Sequence, residues 1–204
     1  ATELTHRQRD FLEKAGYSTN LLMSLVNDIL DFSKIEAGKL TIEYIQFSLE
    51  SIIDNLLSNI APRSYEKNLH LECDIDPKLP KLFMGDPLRI NQILFNLCTN
   101  AVKFTSLGTI TITVTFETIP KNDKQIAVLF QVRDTGVGLT EEQISNIFNA
   151  FTQADGSTSR KYGGTGLGLS IVKQLVKLMN GDISVTSTPN IGSCFSVQLL
   201  LDTV

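Results

Sequence analysis

The stretch Asn96-Leu97-Cys98-Thr99-Asn100-Ala101-Val102-Lys103-Phe104-Thr105 decides how this chain is read. Upstream of it, Asp86-Pro87 puts a capping side chain before a proline at the first helical position, which predicts a helix running to Phe104. On that helix Asn96 and Asn100 stand four residues apart and Lys103 three further on, so all three can project from one face. Amides on an otherwise apolar helix are costly to bury without partners. Either they cap neighbouring loops, or they form a polar face offering amide oxygens to a hard cation and an ammonium group to phosphates.

Two glycine motifs follow. Asp134-Thr135-Gly136-Val137-Gly138 places an acid at a strand end before two glycines spaced for a tight turn and close backbone approach. Ordinary strand-to-helix turns share this pattern, but a buried carboxylate beside a flat pocket also accepts a hydrogen bond from an exocyclic amine, as adenine presents. Further on, Gly163-Gly164-Thr165-Gly166-Leu167-Gly168-Leu169 runs straight into a helix. Glycines there expose backbone N–H groups at the positive end of the helix dipole, an anion site; the plainer reading is a flexible linker. No Gly-Lys-Ser/Thr follows at P-loop spacing, and a polar loop rather than a strand precedes the motif, so it matches neither a P-loop nor a dinucleotide fingerprint.

Outward from these motifs, Phe11, Ala15, Leu22, Leu25, Ile29 and Phe32 recur at helical intervals, predicting one long helix from Thr5 to Lys39 stopped at Gly38. Such a helix suits a bundle or coiled coil, because alone it cannot cover its apolar stripe. The alternation Leu40, Ile42, Tyr44 predicts a strand to Phe47, Ser48 opens a helix to about Lys67, and Leu69–Cys73 reads as a short strand before a loop at Asp76–Pro80. Thr109–Thr118 and Ile126–Arg133 form a hairpin by pattern. Then come a helix over Thr140–Phe148, a glycine- and serine-rich stretch from Thr152 to Gly166, a helix over Leu167–Met179, and strands at Ile183–Thr188 and Cys194–Leu201. The expected fold is a two-layer α/β sandwich, one mixed sheet with helices on one face, preceded by one long α-helix. The expected units are residues 1–39 and 40–204.

Composition narrows the function. With 18 basic and 22 acidic residues among 204, the formal net charge is -4, and no positive field is available to attract nucleic acid. No apolar run approaches the ~18 residues of a membrane span, and the N-terminus lacks a signal-peptide layout, so no membrane contact is expected. Cys73, Cys98 and Cys194 are far apart and outside any Cys-x-x-Cys spacing, which fits reduced thiols and a cytoplasmic setting. Beginning at Ala1 with a helical pattern almost at once, the sequence reads as a piece of a longer polypeptide.

Together and in this order the motifs resemble the catalytic and ATP-binding domain of two-component sensor histidine kinases, whose fold (the Bergerat fold) is shared by gyrase-type ATPases and heat-shock chaperones. Asn96–Thr105 looks like the N box, Asp134–Gly138 the G1 box, Phe148-Asn149-Ala150-Phe151 the F box, Gly164–Gly168 the G2 box, and Gly192-Ser193-Cys194-Phe195 the final glycine motif. Asn27–Lys39 looks like the end of the second helix of the family's dimerisation domain. The wording there and at Phe151–Asp155 is most like hybrid kinases, which carry receiver domains downstream.

The resemblance implies ATP and Mg²⁺ as cofactors. Asp134 would bind the adenine amine, with Ser193 helping through water; Asn100 would hold Mg²⁺; Asn96 and Lys103 would face the phosphates and serve catalysis. Phe104, Gly136, Gly138 and Leu139 would also contribute to the nucleotide site. Gly164, Thr165, Gly166, Leu167, Gly168 and Leu169 would cradle phosphate, and Thr152–Gly163 would form a lid carrying Arg160 and Lys161 as phosphate contacts, with Gln153 near the terminal phosphate. The lid composition predicts mobility. Hydrolytic relatives place a glutamate where Asn96 stands, and an amide cannot act as a general base, which favours transfer to a protein acceptor. Implied partners are ATP or ADP, a second chain through the N-terminal helix, and a response-regulator receiver domain.

The family's acceptor histidine is normally followed by an acid, and no such motif is present. Only His6 and His70 occur, one near a helix start and one in a strand, and neither is expected to accept phosphate. The leading expectation is the ATP-binding core of a protein-histidine kinase. The alternatives are a nucleotide-sensing or dimerisation module that binds without transferring, and a hydrolytic ATPase.

Overall fold

Residues 5–119, 122–151 and 166–204 are described by a computed structural model. The chain divides into two units, Ala1–Leu40 and Thr41–Val204.

The first unit is helix α1, His6–Glu36. Thr5 caps it in a reciprocal box with Gln8, and it stops where Gly38 turns left-handed at φ +63°. Gly38 N–H then donates to Ile35 O and Lys39 N–H to Lys34 O, satisfying two terminal carbonyls as the glycine stop requires. Phe11, Leu22, Val26 and Ile29 are exposed along it.

In the second unit the order is β1 Ile45–Ser48, α2 Leu49–Glu66, β2 Leu69–Ile75, β3 Leu82–Gly85, α3 Pro87–Phe104, β4 Gly108–Ile119, β5 Asn122–Asp134, α4 Glu141–Asn146, α5 Gly168–Leu178, β6 Asp182–Thr188 and β7 Gly192–Thr203. Among the described residues the strands make one mixed sheet in the order β1-β3-β7-β5-β4-β2, with β6 also paired to β7. The β2–β4 pair is parallel and the others antiparallel. Period-two patterning orients it: Ile110, Ile112 and Val114 of β4 are buried, while the alternate positions are threonines. On the buried face α3 packs against β4 and β5 and between α2 and α5, and its Ile90, Ile93, Leu94, Leu97, Ala101 and Val102 fill the core. This is the α/β architecture expected from the sequence.

Two elements differ from the sequence reading. Leu40–Tyr44 is not a strand, although it alternates; β1 starts only at Ile45. Side chains hold the preceding segment instead: Glu43 N–H donates to Asp86 Oδ2 at 3.0 Å, and the Tyr44 hydroxyl bonds the Asp202 carboxylate. Conversely β3, four residues Leu82-Phe83-Met84-Gly85 beside two prolines, carries no pattern long enough to read, yet it links β1 to β7.

Candidate functional site

Helix α3 is fixed at both ends. Asp86, buried at its N-cap, accepts from Arg89 N–H at 3.0 Å, with Pro87 at the first position. At the other end the Lys67 ammonium donates to the Val102 carbonyl at 2.7 Å and the Lys103 carbonyl at 3.2 Å, a cation where the helix dipole favours one. Between these anchors Asn96, Asn100 and Lys103 are half-buried while the alternate face fills the core. Partial burial lowers the Lys103 pKa from 10.5, and its Nζ sits 4.8 Å from the centre of the Phe104 ring.

Asp134 closes β5 and is 7% exposed. Burial raises its pKa above the ordinary 3.8, opposed by backbone N–H groups of Gly136 and Ser193; the Gly136 N–H donates to Oδ1 at 2.8 Å. The loop that follows runs against the end of α3. Val137 N–H donates to the Phe104 carbonyl at 3.4 Å, and a Cβ on Gly136 would stand 2.5 Å from that oxygen. Gly138, at φ +66°, lies against the Thr188 carbonyl and Pro189, where a side chain has no room.

The remaining glycines close the arrangement. Gly192, at φ +137°, packs on the Asp134 backbone, and the β5–β7 register pairs Asp134 with Ser193, which is 8% exposed. Gly168 opens α5, and a Cβ there would lie 3.2 Å from Asn96 Oδ1, so the N-terminus of α5 abuts the first asparagine of α3. Leu167 supplies no side-chain cap there, although the first N–H groups of any α-helix lack intrahelical partners. Phe148 is set edge-on to Phe195 of β7, centroids 6.5 Å apart, with the Lys173 ammonium 5.7 Å from its ring. Thus the described parts of the motifs touch one another in sequence: Gly168 meets Asn96, the Asp134 loop meets Phe104, Gly192 meets Asp134 and Phe148 meets Phe195. Phe151 N–H donates to the Gly166 carbonyl at 3.1 Å, while Gln153, Arg160, Lys161, Gly164 and Thr165, with the rest of the expected lid, lie outside the described residues.

Residues 85–203 match the model of the histidine kinase-, DNA gyrase B- and HSP90-like ATPases. The chain belongs to this family. Among relatives, it is 48% identical over 201 residues to the signal transduction histidine-protein kinase BarA of Escherichia coli (strain K12), covering 98% of this chain and 22% of that protein. The sensor protein GacS of Pseudomonas syringae pv. syringae is 45% identical over 200 residues, with 98% of this chain and 22% of that protein covered. The hybrid signal transduction histidine kinase L of Dictyostelium discoideum is 43% identical over 199 residues, 97% of this chain and 12% of that protein. The chain therefore spans about a fifth, or 22%, of the length of its bacterial relatives. Full-length ShkA in a crystal structure with AMPPNP superimposes with a TM-score of 0.81 at 32% identity, over 100% of this chain and 41% of that one. The Acinetobacter baumannii histidine kinase AdeS shares the fold, with a TM-score of 0.71 at 21% identity over 97% of this chain and 86% of that one.

This ATPase-family domain also holds residues packed around the candidate site that sequence reading missed. Lys67 clamps α3 from α2, and the β6–β7 turn at Ser187, Thr188 and Asn190 holds the Asp134 loop: Ser187 Oγ accepts from Leu139 N–H at 2.8 Å and Asn190 N–H donates to the Val137 carbonyl at 2.7 Å. One signal was available, since Ile183, Val185 and Ser187 share a face of β6 and the serine breaks its apolar run. No described helix is long and apolar enough to cross a membrane.

Proposed function

We propose that the chain binds Mg-ATP and is the catalytic core of a cytoplasmic protein-histidine kinase that passes the γ-phosphate to a histidine outside this sequence. Residues 40–204 would bind nucleotide. Residues 1–39 would be the second helix of a dimerisation domain, pairing with another helix through the exposed stripe Phe11, Leu22 and Ile29. A receiver aspartate would be the next acceptor.

The observation that carries this reading is the placement of a buried carboxylate, Asp134, one loop away from the polar face of α3, with the N-terminus of α5 against Asn96. Asp134 supplies an acceptor for an exocyclic amine, while the α5 N-terminus and Lys103 favour negative charge. Among the described residues no cluster of three or more His, Cys, Asp or Glu side chains could hold a metal. That suits Mg²⁺, which is commonly held by one or two protein oxygens together with substrate phosphates. Asn100 offers such an oxygen, and the ion would neutralise phosphate charge. Asn96 has no proton-accepting carboxylate, so the residues here position and stabilise charge rather than activate water.

Calorimetric titration of ATP with Mg²⁺ into the wild type and Asp134→Asn tests the reading. Binding by the first and its loss in the second is the expected result. Equal affinity in both would remove Asp134 from base recognition, and absence of binding in both would leave the fold without its nucleotide role. Steady phosphate release would instead point to hydrolysis.

A further inference from the structure

Ser187 belongs to none of the glycine motifs, yet it sits at the end of a polar row that crosses three strands. Asp134 of β5 pairs with Ser193 of β7, and Ser193 pairs in turn with Ser187 of β6, with strands about 4.8 Å apart. Asp134 is also paired with Ile110 of β4, which is fully buried, so the row lies on the helix-covered face. Its neighbours on that face of β6 are Ile183 and Val185; an apolar residue would continue the pattern at 187.

The Ser187 hydroxyl joins three groups. It accepts from Leu139 N–H at 2.8 Å, lies 2.9 Å from the Gly192 carbonyl, and lies 3.0 Å from Ser193 Oγ. A serine hydroxyl has one proton and two lone pairs. With one lone pair committed to Leu139, the proton goes to the Gly192 carbonyl, which can only accept, and the other lone pair accepts from the Ser193 hydroxyl. The direction of the Ser193 hydroxyl is therefore set by Ser187, and so is the far end of the Asp134 loop. Asn190 N–H adds a second tie through the Val137 carbonyl at 2.7 Å.

Resting on the nucleotide reading above, we infer that Ser187 is a positioning residue for base recognition: it orients the Ser193 hydroxyl beside Asp134 and locks Leu139, without touching the base. Base selectivity then depends on a hydroxyl two strands away from the carboxylate.

The test is equilibrium binding of ATP and GTP to the whole chain in the wild type, Ser187→Ala, Ser187→Cys, Ser187→Thr, Ser193→Ala and the double variant Ser187→Ala/Ser193→Ala, each checked for cooperative unfolding. Ser187→Ala is expected to weaken ATP about tenfold, roughly the loss of one to two hydrogen bonds, and to narrow the ATP over GTP preference. Ser187→Cys, similar in volume with a weak donor, should follow it if the alanine variant fails to fold. Ser187→Thr, which keeps the hydroxyl, should restore most of the affinity. The double variant should bind no more weakly than Ser193→Ala. A lowered melting temperature with ATP affinity and ATP over GTP preference unchanged would make Ser187 only a structural pin and overturn the inference. Additive losses in the double variant would also overturn it. Failure of the wild type to bind ATP would sink the nucleotide reading itself and the inference with it, an outcome distinct from normal wild-type binding with a silent Ser187→Ala.

Discussion

Two glycine-to-alanine substitutions of the same size should affect stability very differently, because their new methyl groups meet different obstacles. At Gly136 the added Cβ would stand 2.5 Å from the Phe104 carbonyl oxygen and 2.8 Å from Asp134 Oδ1. Carbon–oxygen contacts settle at about 3.3 Å or more, so the loop would have to retreat by roughly 0.8 Å from a backbone atom at the end of α3. Overpacking of this kind costs about 1–3 kcal/mol, and for a domain of this size each kcal/mol lowers Tm by about 2–4 °C. At Gly168 the Cβ would lie 3.2 Å from Asn96 Oδ1, the tip of a side chain that can rotate, and alanine is favoured over glycine in a helix by about 0.8–1 kcal/mol in the interior and by less at this first position. Gly168→Ala should therefore leave stability level or raise it slightly, while shifting Asn96 and weakening Mg-ATP. Urea unfolding at constant m-value reads the first effect and calorimetry the second. Equal destabilisation by both substitutions, or a Gly136→Ala unfolding free energy within about 0.5 kcal/mol of wild type, would refute the argument that the Asp134 loop is wedged against backbone.

Further outcomes follow from the same geometry. Burial raises the Asp134 pKa above 3.8, so the folded state holds its proton more tightly than the unfolded chain; relative to Asp134→Asn, the wild type should lose stability as pH rises from about 3.8 through the raised folded value, with a flat difference above it, measured by denaturation across pH 3–8. Removing the Lys67 ammonium by Lys67→Met keeps the stem but uncaps the Val102 and Lys103 carbonyls, and should cost about 1–2 kcal/mol in urea unfolding; no change would show that water replaces the clamp. Cys98 is buried and its thiol is pushed up to about 12, whereas Cys73 is exposed, so iodoacetamide at pH 8 should label Cys73 and spare Cys98 in the folded chain, as read by peptide mass spectrometry.

Most of the elements could be read in the sequence because their signals are local. Asp86-Pro87 announced α3, Gly38 stopped α1, and β-branched runs marked β4 and β5, each through contacts within a few residues. The misreadings came where pairing is non-local: Leu40–Tyr44 alternates like a strand but is claimed by Asp86 and Asp202 from distant segments, and β3 exists because β1 and β7 flank it.

The candidate site divides in the same way. Sequence by itself determined which residues are candidates for a site, since Asn96, Asn100 and Lys103 share a helix face by the 3.6 period and Asp134 precedes glycines that only a close backbone approach explains. Its formal net charge of -4 also offers no positive field to attract a phosphate backbone. Only tertiary structure decided how the motifs meet: Gly168 against Asn96, Gly136 against the end of α3, and Ser193 in register with Asp134. It alone supplied Lys67 and Ser187, because a single ammonium or hydroxyl gains its role from carbonyls and amides that are remote in the chain and adjacent only once the sheet and helices have packed.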